Sequence, residues 1–236
     1  MTKISNEITQ SLLNAADGDK AISMQRFFKT GKGEYGEGDI FIGVSVPQQR
    51  AIAKQFQKDC TKKEVITLLD SPIHEERLTG VFILVDKFKK SIKSNQEQEW
   101  VDLYIEKADK MNNWDLVDSS AHHILGKWLE NKDRNLLYEF AESNSLWKNR
   151  IALVSTLYFI RKKDFKDALQ LCKISLPHQH DLIHKAAGWM LKEIYEKDPN
   201  PTCKFIETFK DKMPRTMLRY AIEKMPELQR KAYLSK

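Results

Sequence analysis

Long apolar runs are missing from this chain. The longest notable stretch, Val81 to Val85, is far short of the roughly 20 apolar residues that span a bilayer, so no membrane partner is expected. Cysteine is scarce as well. Cys60, Cys172 and Cys203 lie far apart and fit neither a zinc spacing nor a redox pair, which points to reduced thiols in a cytoplasmic protein. The opening residues Met1 to Glu7 carry no apolar segment of the kind that marks a secretion signal. Only 9 glycines and 7 prolines punctuate 236 residues, and no stretch sustains the apolar–polar alternation of a strand. These absences leave a helical protein as the expectation.

What is present fits that expectation. Charged residues make up 31% and apolar residues 41%, and 11 Phe, 7 Tyr and 5 Trp supply enough bulk to bury a core, which excludes a disordered chain. The net charge of +6, from 39 basic and 33 acidic side chains, permits an anionic partner without demanding one. The length suits a single domain over 1–236 or one extended array.

Along the chain, residues 4–30 read as two helices broken near Asp17-Gly18-Asp19. Gly31, Gly33 and Gly36 match G-x-G-x-x-G, but a helix rather than a strand precedes them, so the loop reads as a connection. Pro47 sits in the first turn of a helix running to about Asp59, and Thr61-Lys-Lys-Glu64 has the form of a capping box. Further helices are expected near 73–90, 96–109, 114–130, 133–143, 147–163, 165–175, 181–197, 200–211 and 215–224.

The more apolar of these share a pattern. A polar residue near the amino end precedes small side chains and then bulky ones, as in Asn149-Arg-Ile-Ala-Leu-Val-Ser-Thr-Leu157 and His184-Lys-Ala-Ala-Gly-Trp-Met-Leu191. The equivalent polar positions are Arg77, Asp118, Arg150, Lys185 and Arg219, at intervals of roughly 30–40 residues, the range of HEAT or armadillo helix-pair repeats. The expected fold is an all-α, right-handed helical solenoid of HEAT-like repeats with a concave basic face. Four cations at repeat spacing could track a phosphate backbone; equally, they could be solvated or paired with neighbouring acids. Asp118 is the one acid in the row, and a carboxylate near phosphates is electrostatically costly.

Asn113-Trp114-Asp115-Leu116-Val117-Asp118 sets an indole and a carboxylate four residues apart, on one face of a helix. A capping Asp115 and a stapled Trp114 would be the ordinary account of the same residues. Trp189 follows the small stretch Ala186-Ala-Gly188, and Arg150 could bind phosphate or brace a carboxylate. His122, His123, His178, His180 and His184 lack companion cysteines and a His-Glu-x-x-His motif, so no metal is expected. No nucleophile elbow is present.

With Trp114-Asp115-Leu116-Val117-Asp118, Trp147-Lys-Asn-Arg150, Lys185-Ala-Ala-Gly-Trp189, Met24-Gln-Arg-Phe-Phe-Lys29 and Tyr35-Gly-Glu-Gly-Asp39 in order, the chain resembles the DNA alkylation repair glycosylases of the AlkD-like, HEAT-repeat type over roughly residues 5–225. The resemblance implies excision of positively charged N3- and N7-alkylpurines from double-stranded DNA by a monomer with no cofactor. It implies Asp118 as the catalytic carboxylate, Trp114 and Trp189 as its flanking aromatics, and Arg150 as a DNA contact. Phe27 falls where active members can have Tyr, and Asn113 where some have a second Trp. A DNA-structure binder without catalysis and a protein-interaction array are the rival expectations.

Overall fold

The computed structural model describes residues 3–235, and among these the chain is helical, with one isolated parallel bridge between Ile40 and Ile73. It divides into two compact units, Met1–Ser120 and Ala121–Lys236. No helix among the described residues is long and apolar enough to cross a membrane.

The first unit comprises α1 (Lys3–Asn14), α2 (Gly18–Phe27), α3 (Val46–Phe56), α4 (Lys62–Leu69), α5 (His74–Ser91), α6 (Gln98–Glu106) and α7 (Trp114–Asp118). The expected capping box opens α4, where Glu64 accepts from the Thr61 amide at 2.6 Å. Helix α5 is the centre, packed by α1, α3, α4, α6 and α7. Surrounded in this way, it buries residues on every side: Leu78, Val81, Ile83, Leu84 and Phe88 are all essentially inaccessible. Each such side chain contributes about 1.5–3 kcal/mol of hydrophobic stabilisation.

Its first turn is unusual. His74, Glu75, Glu76 and Arg77 are consecutive, ionisable and all buried, which charged residues tolerate only with dedicated partners. Glu75 accepts from the amides of Ile42, Gly43 and Val44. Glu76 accepts from the Thr9 hydroxyl at 2.6 Å. His74 and Arg77 turn to carboxylates, as described below.

The second unit opens with a π-helical segment (His122–Gly126), followed by α8 (Asn135–Ala141), α9 (Leu146–Ser155), α10 (Leu157–Ile160), α11 (Lys166–Ile174), α12 (Asp181–Lys197), α13 (Pro199–Phe209), α14 (Arg215–Ala221) and α15 (Glu227–Leu234). Within this unit the repeat register is visible. The π-segment packs on α9, α9 on α12 and α12 on α14, while α8, α11 and α13 back α9 and α12 as the outer partners of helix pairs. Two glycines set the closest approaches. A Cβ on Gly126 would lie 2.3 Å from the Ser155 carbonyl oxygen and 2.8 Å from the Tyr158 Cβ; one on Gly188 would lie 2.5 Å from both the Met217 carbonyl oxygen and the Tyr220 Cβ. Each glycine meets a carbonyl oxygen and, three residues further on, a tyrosine Cβ of the neighbouring helical segment.

Two expected helices are broken. The stretch 114–130 divides into α7, a turn and the π-segment, and 147–163 divides between α9 and α10. Ser120 and Ser155 return hydroxyl bonds to carbonyls one turn back, at Leu116 and Ile151, the back-bonding that bends helices. Helix α15 was not expected at all, and it buries no residue.

Candidate functional site

Helix α7 is short, and its ends are specified by side chains. Asn113 caps it, accepting from the Trp114 amide at 2.9 Å, so the capping role expected of Asp115 belongs to Asn113. Asp115 instead points inward: one oxygen accepts from the Leu116 amide and the other lies 2.8 Å from His74 Nε2. Asp115, Leu116 and Val117 are buried, and the two residues of α7 left partly exposed are Trp114 and Asp118. The pair expected to share one face does so.

Trp114 rests on a cluster of rings. It stacks on Phe28 (5.3 Å between centroids, 16° between planes), and Phe28, Phe41 and His74 close a triangle, 4.8 Å from Phe28 to Phe41, 4.3 Å from Phe41 to His74 and 5.3 Å from Phe28 to His74. Phe27 meets Trp114 edge-on at 6.1 Å and is itself 65% exposed. An exposed phenylalanine beside a half-exposed indole presents aromatic surface to whatever binds there.

Asp39 anchors the other side. It lies 3.0 Å from His74 Nδ1 and accepts from Arg77 at 2.6 Å, Asn112 at 2.8 Å and Asn113 at 3.3 Å. Burial works against ionisation of Asp39, but the bonds and charges of His74, Arg77 and Asn112 outweigh it and hold its pKa below the ordinary carboxylate value. For His74 burial again opposes the charged form, and Asp115 with Asp39 prevails, raising its pKa to about 9.

Arg77 corrects an expectation. It is 5% exposed, with its guanidinium engaged by Asp39 and by the Ser71 carbonyl at 2.8 Å, so it does not track phosphate. In the second unit Arg150 is buried to the same degree and donates to the Leu182 carbonyl at 2.6 Å, bracing the start of α12. Lys185 pairs with Asp181 at 2.7 Å, Trp189 donates to Glu193 at 2.8 Å and is half-buried, and Arg219 is exposed. Three of the histidines hold the loop before α12: His178 meets Asn149 at 3.2 Å, His180 accepts from the Leu182 amide to cap α12, and His184 lies 2.5 Å from the His178 carbonyl. Among the described residues no group of three or more His, Cys, Asp or Glu is arranged to hold a metal ion.

Sequence reasoning missed Asp39, Phe28, Phe41 and His74 as parts of this arrangement. The available signal was the run His74-Glu-Glu-Arg77 at the head of an otherwise apolar helix, which marks either a solvated end or a set of buried partners.

A family model described as DNA alkylation repair enzyme matches residues 8–225. Among solved structures, one described as a predicted DNA alkylation repair enzyme from Enterococcus faecalis is similar, with a TM-score of 0.73 and 16% sequence identity, covering 90% of this chain and 97% of that one. At that identity the likeness shows a shared fold. No curated protein matches.

Proposed function

The chain belongs to the DNA alkylation repair enzyme family, and from that premise we propose that it is a DNA glycosylase releasing positively charged N3- and N7-alkylpurines from duplex DNA. The observation that carries the reading is the exposure pattern of α7: of its five residues, Trp114 and Asp118 are the two left partly exposed, with Phe27 beside Trp114.

The chemistry suits that pair. As the N-glycosidic bond breaks, its electron pair passes to the base and neutralises the positive ring. Positive charge meanwhile builds on the sugar, which takes on oxocarbenium character. Asp118 stabilises that developing charge and orients the water that adds to the anomeric carbon. A cationic alkylpurine leaves readily without a strong general acid. The faces of Trp114 favour a cationic nucleotide over a neutral one. From the second unit the reading takes Trp189 as a further aromatic and Lys185 and Arg219 as phosphate contacts; buried Arg77 is left out, and Arg150 serves by bracing α12.

The direct test is incubation of the purified protein with methylated duplex DNA and chromatography of the released bases. Free 3-methyladenine or 7-methylguanine is expected. Tight DNA binding with no release would favour the second reading, a non-catalytic DNA-structure binder, which the absence of a hydroxyl on exposed Phe27 also fits.

A further inference from the structure

We propose that His74 is a positioning residue of the α7 site: held as an imidazolium between Asp39 and Asp115, it fixes the orientation of Trp114 and Asp118. The functional consequence rests on the glycosylase reading above, while the clamp itself rests on geometry alone.

Both ring nitrogens of His74 face carboxylate oxygens, Nδ1 at 3.0 Å from Asp39 and Nε2 at 2.8 Å from Asp115, and the ring is 1% exposed. Two acceptors require two N–H donors, and only the protonated ring has both. A neutral ring would set a lone pair against a buried carboxylate. Charge balance agrees. The carboxylates facing the ring are Asp115 from α7 and Asp39 from the segment before α3, and the other cation is Arg77 on the histidine's own helix. Glu75 and Glu76 are turned to the amides of residues 42–44 and to Thr9. Without the imidazolium, two buried carboxylates would share the single charge of Arg77.

The clamp reaches the site by two routes. Through Asp115, whose second oxygen takes the Leu116 amide, it grips the backbone between Trp114 and Asp118. It also packs directly against Phe41 and Phe28, and Phe28 carries Trp114 on its face. A cation over an aromatic face is favourable, so deprotonation loosens both routes together. Burial alone would depress the histidine's pKa; the two carboxylates raise it to about 9, which places loss of the clamp in the alkaline range.

The experiment combines rate and spectroscopy. Single-turnover base release is followed against pH for wild type and Asp115→Asn on the same DNA. In parallel, the His74 ring and the Trp114 indole of wild type are titrated by nitrogen-15 NMR, the indole signal being assigned by its loss in Trp114→Phe. Both signals are expected to move with one alkaline midpoint. Wild-type release should fall at least fivefold through that midpoint, and Asp115→Asn should bring the fall about one pH unit or more lower. Substrate titration is common to both proteins and cannot move the limb between them. Titration of His74 near its ordinary value of about 6.5, a Trp114 signal that ignores it, or the same limb in both proteins would each overturn the proposal. If neither protein releases base, the glycosylase reading fails and the clamp is decided by the two NMR midpoints, which also serve if Asp115→Asn does not fold.

Discussion

Replacing Gly188 by alanine sets two effects of opposite sign against each other. Inside a helix alanine is favoured over glycine by about 1 kcal/mol, so propensity alone predicts a more stable protein. The packing predicts the reverse. The new Cβ would lie 2.5 Å from the Met217 carbonyl oxygen and 2.5 Å from the Tyr220 Cβ, and neither atom is the free end of a flexible side chain. Helix α14 would therefore have to retreat from α12, opening gaps along the most extensive helix–helix contact of the second unit. Such overpacking costs about 1–3 kcal/mol, and more where backbone must move. Because the clashing atoms are a backbone oxygen and a Cβ, the upper part of that range applies, about 2–3 kcal/mol, and after the propensity gain a net loss of about 1–2 kcal/mol is expected. For a chain of this size each kcal/mol shifts Tm by roughly 2–4 °C, so calorimetry should show a fall of roughly 2–8 °C. Gly18→Ala is the control: nothing lies within 4 Å of its added Cβ, and its Tm should stay close to wild type. A Gly188→Ala protein as stable as wild type, or more so, would refute the close-packed repeat register.

Four further outcomes follow. His74 has a folded pKa of about 9 against about 6.5 unfolded, so its contribution is complete below pH 6.5 and disappears as pH rises through 9; about 3 kcal/mol of stability should be lost across that window in urea unfolding. Asp39 is shifted downward, so its contribution is present above the ordinary carboxylate pKa and disappears on acidification, and His74→Gln should abolish the alkaline slope while leaving an acid one. Phe27→Ala should weaken binding to DNA carrying a cationic lesion more than to undamaged DNA, measured by fluorescence anisotropy; equal weakening would make Phe27 a general contact. Lys185→Ala and Arg219→Ala should each flatten the dependence of DNA affinity on salt by about one counterion, and an unchanged slope would remove that residue from the phosphate contacts.

The sequence was most readable where structure is local. The capping box at Thr61 and the bounds of α12 could be taken directly from the order of residues, because a cap and an amphipathic period are set within a few positions. The pairing of Trp114 with Asp118 was legible for the same reason. Arg77 was misjudged because its partners, Asp39 and the Ser71 carbonyl, are brought to it by the fold and not by spacing. The clamp on His74 was hidden likewise: Asp39 precedes it in a loop and Asp115 follows in another helix, and no periodicity links the three. The break after α7 escaped notice because a run from 114 to 130 has helical composition throughout, and a π-segment leaves no distinct pattern in sequence.

The central claim is that Asp118 assists departure of a cationic purine while other groups hold the DNA. The measurement that tests it most directly is the single-turnover rate of base release by Asp118→Asn, set beside its affinity for the same methylated duplex. The account predicts a rate lower by at least about a hundredfold, since the charge that stabilises the sugar is gone, with affinity within a few-fold of wild type. A variant that releases base at the wild-type rate while folded and DNA-bound would contradict it.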